Sequence, residues 1–232
     1  MSLITNIIHD DFALVVANQA VEERDNASER IILNKNSNVM IAIAGEGFPE
    51  NYAGALEKCS NHKEAIAIVQ EYINTSFATR TLLQDYNTVQ PESLQQMCLT
   101  YFDENKQKFC SYAASVSNQQ RNTDIKGSIA NQVLFRCIGS DSEQLTMFFQ
   151  LKGVRAVLQK FALERKGADA VMDIIDIVQR MYDAVDLIDH SITFDSGATF
   201  WAMDKDSKTF QKVEYNHHYI IEKDTQQNKQ AA

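Results

Sequence analysis

The stretch ITNIIHDDFALVVA, residues 4–17, sets the fold. It holds two apolar runs rich in β-branched residues on either side of His9-Asp10-Asp11, a cluster of turn formers, and so reads as a hairpin of two buried strands. A second hairpin follows from Ile31-Ile32-Leu33, the turn residues Asn34-Lys35-Asn36-Ser37-Asn38, and a strand over residues 39–44 that Gly45 closes. From Pro49 the apolar spacing changes to i, i+3, i+4: Tyr52, Leu56 and Cys59 share one side of a first helix. Ala65, Ile66, Val69, Tyr72, Ile73 and Phe77 share one side of a second, with the split near Ser60-Asn61.

Beyond Pro91 the pattern returns to strands, over residues 97–102 and 108–116 around the polar turn Asp103-Glu104-Asn105-Lys106. A polar stretch, residues 117–128, separates this third hairpin from a strand over 132–138 that ends at Gly139-Ser140. Helical spacing then runs over 142–161 and 168–187, with Gly167 as a C-terminal stop between them. A last hairpin pairs 198–203 with 209–215 across Asp204-Lys205-Asp206-Ser207. The order is ββββ, αα, βββ, αα, ββ. Strands and helices do not alternate one by one, which disfavours a doubly wound parallel sheet and favours segregated layers. The expectation is an α+β fold, a four-layer αββα sandwich of two antiparallel sheets with a helix pair on each outer face.

The 232 residues suffice for one domain with a sizeable core. We assign residues 1–221 to that domain and 222–232, EKDTQQNKQAA, to a polar tail without an apolar anchor. A formal charge of −9 argues against a nucleic-acid partner, which needs a basic face to neutralise phosphates. No basic start with an apolar run marks a signal peptide, and no stretch approaches the roughly 20 apolar residues that span a bilayer. Cys59, Cys98, Cys110 and Cys137 show no CxxC spacing and read as reduced core residues. These features together point to the cytoplasm and to no membrane partner.

Recognisable motifs are few. No GxSxG, Walker or GxGxxG pattern occurs. His217 and His218 are adjacent and would point to opposite faces of a strand, so they do not form a metal pair. His190 lies beside Asp189 and Ser191, but sequence neighbours seldom supply triad geometry. Trp201, in Phe200-Trp201-Ala202-Met203, reads as a core residue.

Four places, in this order, carry a resemblance: Val15-Val16-Ala17-Asn18 ending the first hairpin, Ile41-Ala42-Ile43-Ala44-Gly45, the junction Ile138-Gly139-Ser140, and Asp195-Ser196-Gly197-Ala198 before the last hairpin. Through them nearly the whole chain resembles the proteasome β-subunit family and its bacterial relatives, which are N-terminal-nucleophile hydrolases. The resemblance implies an αββα sandwich, cleavage of amide bonds in peptide or protein substrates, no cofactor or metal, and a homo-oligomeric ring.

It also implies a site. In such enzymes the first residue of the mature chain is the nucleophile and its α-amino group, with an ordinary pKa of about 7.7–8.0, is the base. Counting back from Asn18 places that residue at Ser2, exposed if Met1 is removed; Thr5 is a rival if the cut falls later. Arg30 stands where the family has a lysine; it keeps the charge but cannot shuttle a proton. Asn18 stands where the family has an acid, as does Thr193, and Asp141 replaces a glycine. Gly45 would offer an oxyanion donor, and Ser140 and Ser196 would orient the site. Turn and cap chemistry competes for the last two, with Ser140 or Ser142 capping a helix and Ser196-Gly197 forming a turn. The departures at Asn18, Arg30 and Thr193 leave open an alternative: a non-catalytic subunit of the same fold with a structural or regulatory role in a ring.

Overall fold

A computed structural model of the chain describes residues 3–18, 31–34, 36–45, 49–84, 94–117, 119–130, 132–139, 142–164, 172–180 and 198–213. Two antiparallel sheets and five helices make up these residues. The strands are β1 (Leu3–Ile8), β2 (Phe12–Asn18), β3 (Ile31–Asn34), β4 (Val39–Ala44), β5 (Gln95–Asp103), β6 (Lys108–Val116), β7 (Arg121–Gly127), β8 (Leu134–Gly139), β9 (Ala198–Asp204) and β10 (Gln211–Val213). The helices are α1 (Glu50–Lys58), α2 (His62–Gln84), α3 (Ser142–Gln150), α4 (Lys152–Glu164) and a fifth over residues 172–180. One sheet runs β10-β9-β2-β1-β8 and the other β3-β4-β5-β6-β7.

The central strands are apolar at nearly every position because each is covered on both faces. Along β1, Leu3 and Ile7 join a cluster with Leu145 and Phe149 of α3, Leu158 of α4 and Ile174, Ile175 and Val178 of the fifth helix. Ile4 and Ile8, on the opposite face, join Met40, Ala42 and Ala44 of β4 and Phe102 and Phe109 of β5 and β6. β4 repeats the arrangement: Val39, Ile41 and Ile43 meet Leu56 of α1 and Ala65, Val69 and Ile73 of α2. Alternation along one strand therefore feeds two different clusters.

Three hairpins close with one turn chemistry. Asn34, Asp103 and Asp204 each end a strand, and each accepts with its side chain from the backbone N–H groups two and three residues on. Four residues on, Asn38, Gln107 and Lys208 take positive φ of 49, 50 and 51°. A short acceptor side chain holds the first half of such a four-residue loop, and the left-handed residue returns the chain to its partner strand. At the start of α2, Asn61 Oδ1 accepts from the N–H groups of Lys63 and Glu64, both at 3.0 Å, and Glu64 accepts from Ser60 N–H at 2.7 Å. This reciprocal cap separates α2 from α1.

Two expectations are corrected. The polar stretch 117–128 contains β7, whose residues Arg121 to Lys126 are all exposed. As an edge strand with charges on it, it has no apolar alternation to read. The single helix expected over 142–161 is two, α3 and α4, broken at Leu151. There the Leu151 N–H bonds the Phe148 carbonyl three residues back, and the next helix restarts with Arg155 N–H on Leu151 O. The side of the chain after residue 140 thus carries three described helices, not a pair. Within 168–187, residues 172–180 are helical. All four cysteines are free, three of them buried. Among the described residues no helix is long and apolar enough to cross a membrane. Residues 222–232 lie outside the described residues.

Candidate functional site

Antiparallel pairing gathers many strand ends at one end of the molecule. In the first sheet, Leu3 at the start of β1 pairs with Gly139 at the end of β8, and Asn18 at the end of β2 pairs with Ala198 at the start of β9. In the second, Ala44 at the end of β4 pairs with Gln96 near the start of β5, and Ile31 at the start of β3 pairs with Ala42. Gly139 N–H donates to Gln96 Oε1 at 2.7 Å, which joins the two sets of ends across the gap between the sheets.

Among the described residues, two glycines at this end have positive φ, 105° at Gly45 and 100° at Gly139. At Gly45 an added Cβ would fall on the carbonyl oxygen of Leu94 and 3.1 Å from Gln95 Cα. Only glycine lets β4 turn away so close to the backbone of its neighbour. Gly45 itself is exposed.

Of the six residues singled out from the sequence, Gly45 and the backbone of Asn18 are described, and both are at this end. Ser2, Arg30, Ser140 and Ser196 lie outside the described residues, as do Thr193, His190, His217 and His218. The described residues nearest to Ser2, Arg30, Ser140 and Ser196 in the chain, Leu3, Ile31, Gly139 and Ala198, are the strand termini just named. Thr5 is fully buried in mid-strand, paired with Val16 on one side and Cys137 on the other. Trp201 is half-buried against the cluster between the sheets.

Burial works against thiolate formation at three of the four cysteines. Burial pushes the Cys137 thiol up to about 11, against hydrogen bonds from Thr5 and Thr146 that lower it. Burial likewise raises Cys98 and Cys110. Among the described residues no group of three or more His, Cys, Asp or Glu side chains is placed to hold a metal ion.

Gln96 was not singled out from the sequence, and neither was the ion pair between Arg136 Nη2 and Asp124 Oδ2 at 2.8 Å. Gln96 is a polar residue at the polar head of a strand, and Arg136 an interruption in an apolar one, so neither belongs to a motif. Their roles depend on which strands face each other. No family model matches this chain, and no curated protein matches it significantly.

Proposed function

We propose that this chain is a proteasome-type homologue of the N-terminal-nucleophile hydrolases, with an αββα layer order and amide bonds as its substrates. The observation that supports the reading is the convergence of strand termini on the Gly45 and Gly139 end, tied across the sheets by Gln96. Three separate apolar clusters support the layer order: one between the sheets and one beneath the helices on each side.

In this reading Ser2, freed by removal of Met1, attacks the acyl carbon while its own amine takes the hydroxyl proton. Arg30 and Asn18 supply electrostatic support, the Gly45 N–H stabilises the oxyanion, and Ser140 and Ser196 orient the nucleophile. No cofactor or metal takes part. Peptides or proteins are the substrates, the compartment is the cytoplasm, and the chain assembles into a homo-oligomeric ring. Met147 and Leu151, 67 and 53% exposed and one helical turn apart, support self-assembly, since they offer apolar surface at the α3–α4 junction.

A second reading, a non-catalytic subunit in a ring, is favoured by asparagine at 18, arginine at 30 and threonine at 193. Intact mass and N-terminal sequencing, followed by reaction with a probe for N-terminal hydroxyl nucleophiles, separates the two. The hydrolase reading expects a chain beginning at Ser2, labelled there, with labelling lost in Ser2→Ala. A retained or acetylated N-terminus leaves no free amine and overturns catalysis.

A further inference from the structure

β8 and β7 are edge strands of different sheets. Between them lies a cleft of about 200 Å³ whose polar lining is Gln96, Ser115, Asn122, Thr123, Asp124 and Arg136. The second sheet forms its floor. Ser115 pairs with Gln96 on one side and Asn122 on the other, and Asp124 pairs with Ala113, whose small side chain leaves room above it. Arg136 enters from the first sheet with its side chain only 12% exposed.

The guanidinium is incompletely satisfied. Nη2 donates to Asp124 Oδ2 at 2.8 Å, whereas Nε is buried with no hydrogen-bond partner. A buried donor on a charged group left without an acceptor costs on the order of 1–3 kcal/mol or more, and a small shift of the guanidinium toward an oxygen in the cleft would remove that cost. Asp124 is more than half exposed, so water screens part of its charge. Lys126 follows on the same face of β7 by strand alternation. Arg136 and Asp124 balance within the lining, so Lys126 beside it tilts the local charge to positive in a chain of net charge −9.

We propose that this cleft binds a small carboxylate, held by the Arg136 fork and flanked by the Ser115 hydroxyl and the amides of Gln96 and Asn122. Guanidinium and carboxylate match as planar forks. The volume is below the roughly 300–1,000 Å³ of sites for drug-sized ligands and, at about 30 Å³ per water, has room for a carboxylate on a short chain. A dicarboxylate such as glutarate spreads its two charges along a chain, whereas phosphate concentrates its charge on one centre beside Asp124, which disfavours phosphate. The site contains none of the residues assigned to amide hydrolysis and extends the functional surface beyond them.

The test is calorimetric titration of the full chain with glutarate, and separately with inorganic phosphate, in chloride buffer. Saturable glutarate binding with a millimolar-range Kd is expected. Arg136→Gln should weaken it at least tenfold, and Asp124→Asn, which frees the guanidinium, should tighten it severalfold. Should Arg136→Gln fail to fold, Ser115→Leu, which fills the floor, should abolish binding instead. No saturable glutarate binding by the folded wild type, binding unchanged in Ser115→Leu and Asp124→Asn, or a preference for phosphate would overturn the proposal. Ser2→Ala should bind glutarate as the wild type does, so failure of this site and failure of the hydrolase reading are separate results.

Discussion

Gly139 donates its backbone N–H to the side-chain oxygen of Gln96, and this single 2.7 Å bond fastens the end of β8 to the head of β5 across two sheets. Gln96→Ala removes the acceptor and should lower stability by about 1–2 kcal/mol, read from urea unfolding. Gln96→Glu keeps an acceptor and should recover most of the loss. Equal stability of the alanine variant and the wild type would show that the bond does not hold the sheets at that end.

Gly45 and Gly54 should respond oppositely to the same methyl group. At Gly45 the Cβ collides with the Leu94 carbonyl at φ 105°, so Gly45→Ala should cost roughly 3 kcal/mol or more. At Gly54, inside α1, nothing lies within 4 Å of the new Cβ. Gly54→Ala should therefore gain about 0.5–1 kcal/mol through helix propensity and a less free unfolded chain. Thermal unfolding of the pair decides it: a harmless Gly45→Ala would remove the steric reason for glycine at that corner.

How much of this was legible in the sequence depended on whether the signal was local. The hairpins at His9-Asp10-Asp11, Asn34 to Asn38 and Asp103 to Lys106 were readable because turn residues and apolar runs are adjacent in the chain. β7 was not, since an exposed edge strand such as Arg-Asn-Thr-Asp carries no buried face to set a period. The break at Leu151 was hidden because the apolar spacing continues through it, with Phe148 and Val154 both packed on the same cluster. Gly45 was legible as a strand end, but the reason for it, the Leu94 carbonyl, is almost fifty residues away. Gln96 and Arg136 acquire roles only from cross-sheet pairing, which no local pattern encodes.

Asn34 joins the second hairpin to α1. Its amide donates to the carbonyls of Leu56 at 2.6 Å and Cys59 at 2.8 Å, while its oxygen accepts from the N–H groups of Asn36 and Ser37, both at 2.9 Å. The side chain is fully buried. Asn34→Ala should cost about 3 kcal/mol, since two buried carbonyls at the end of α1 lose their donor and the turn loses its acceptor. Asn34→Asp keeps the turn bonds but sets a carboxylate against those carbonyls, and should cost at least as much at neutral pH. Chemical unfolding of both variants measures this; an aspartate variant as stable as the wild type would show that the helix end does not need the amide.

Burial of His9 should make the protein sensitive to mild acid. It stacks on Phe12 with centroids 5.1 Å apart, and its Nδ1 accepts the Asp11 N–H at 3.2 Å. Burial lowers its pKa below the ordinary 6.5, opposed by the charges of Asp11 and Asp10. His62, stacked on Tyr101, is lowered for the same first reason: Asp103 opposes the shift, and Lys63 and Lys106 add to it. With a folded pKa below the unfolded one, the unfolded chain binds more protons in the window between them. The associated stability is therefore present above about 6.5 and is lost as pH falls through the folded pKa. Asp103 and Asp204 act in the same direction at lower pH. Burial raises each of them but is outweighed by hydrogen bonds, from Lys106 and Asn105 to Asp103 and chiefly from Ser207 to Asp204. Urea midpoints at pH 7.5, 6.5 and 5.5 should fall with acidification in the wild type and fall less steeply in His9→Gln, whose side chain can still accept the Asp11 N–H without titrating. An unchanged slope in His9→Gln would mean that His9 titrates alike in the folded and unfolded chain.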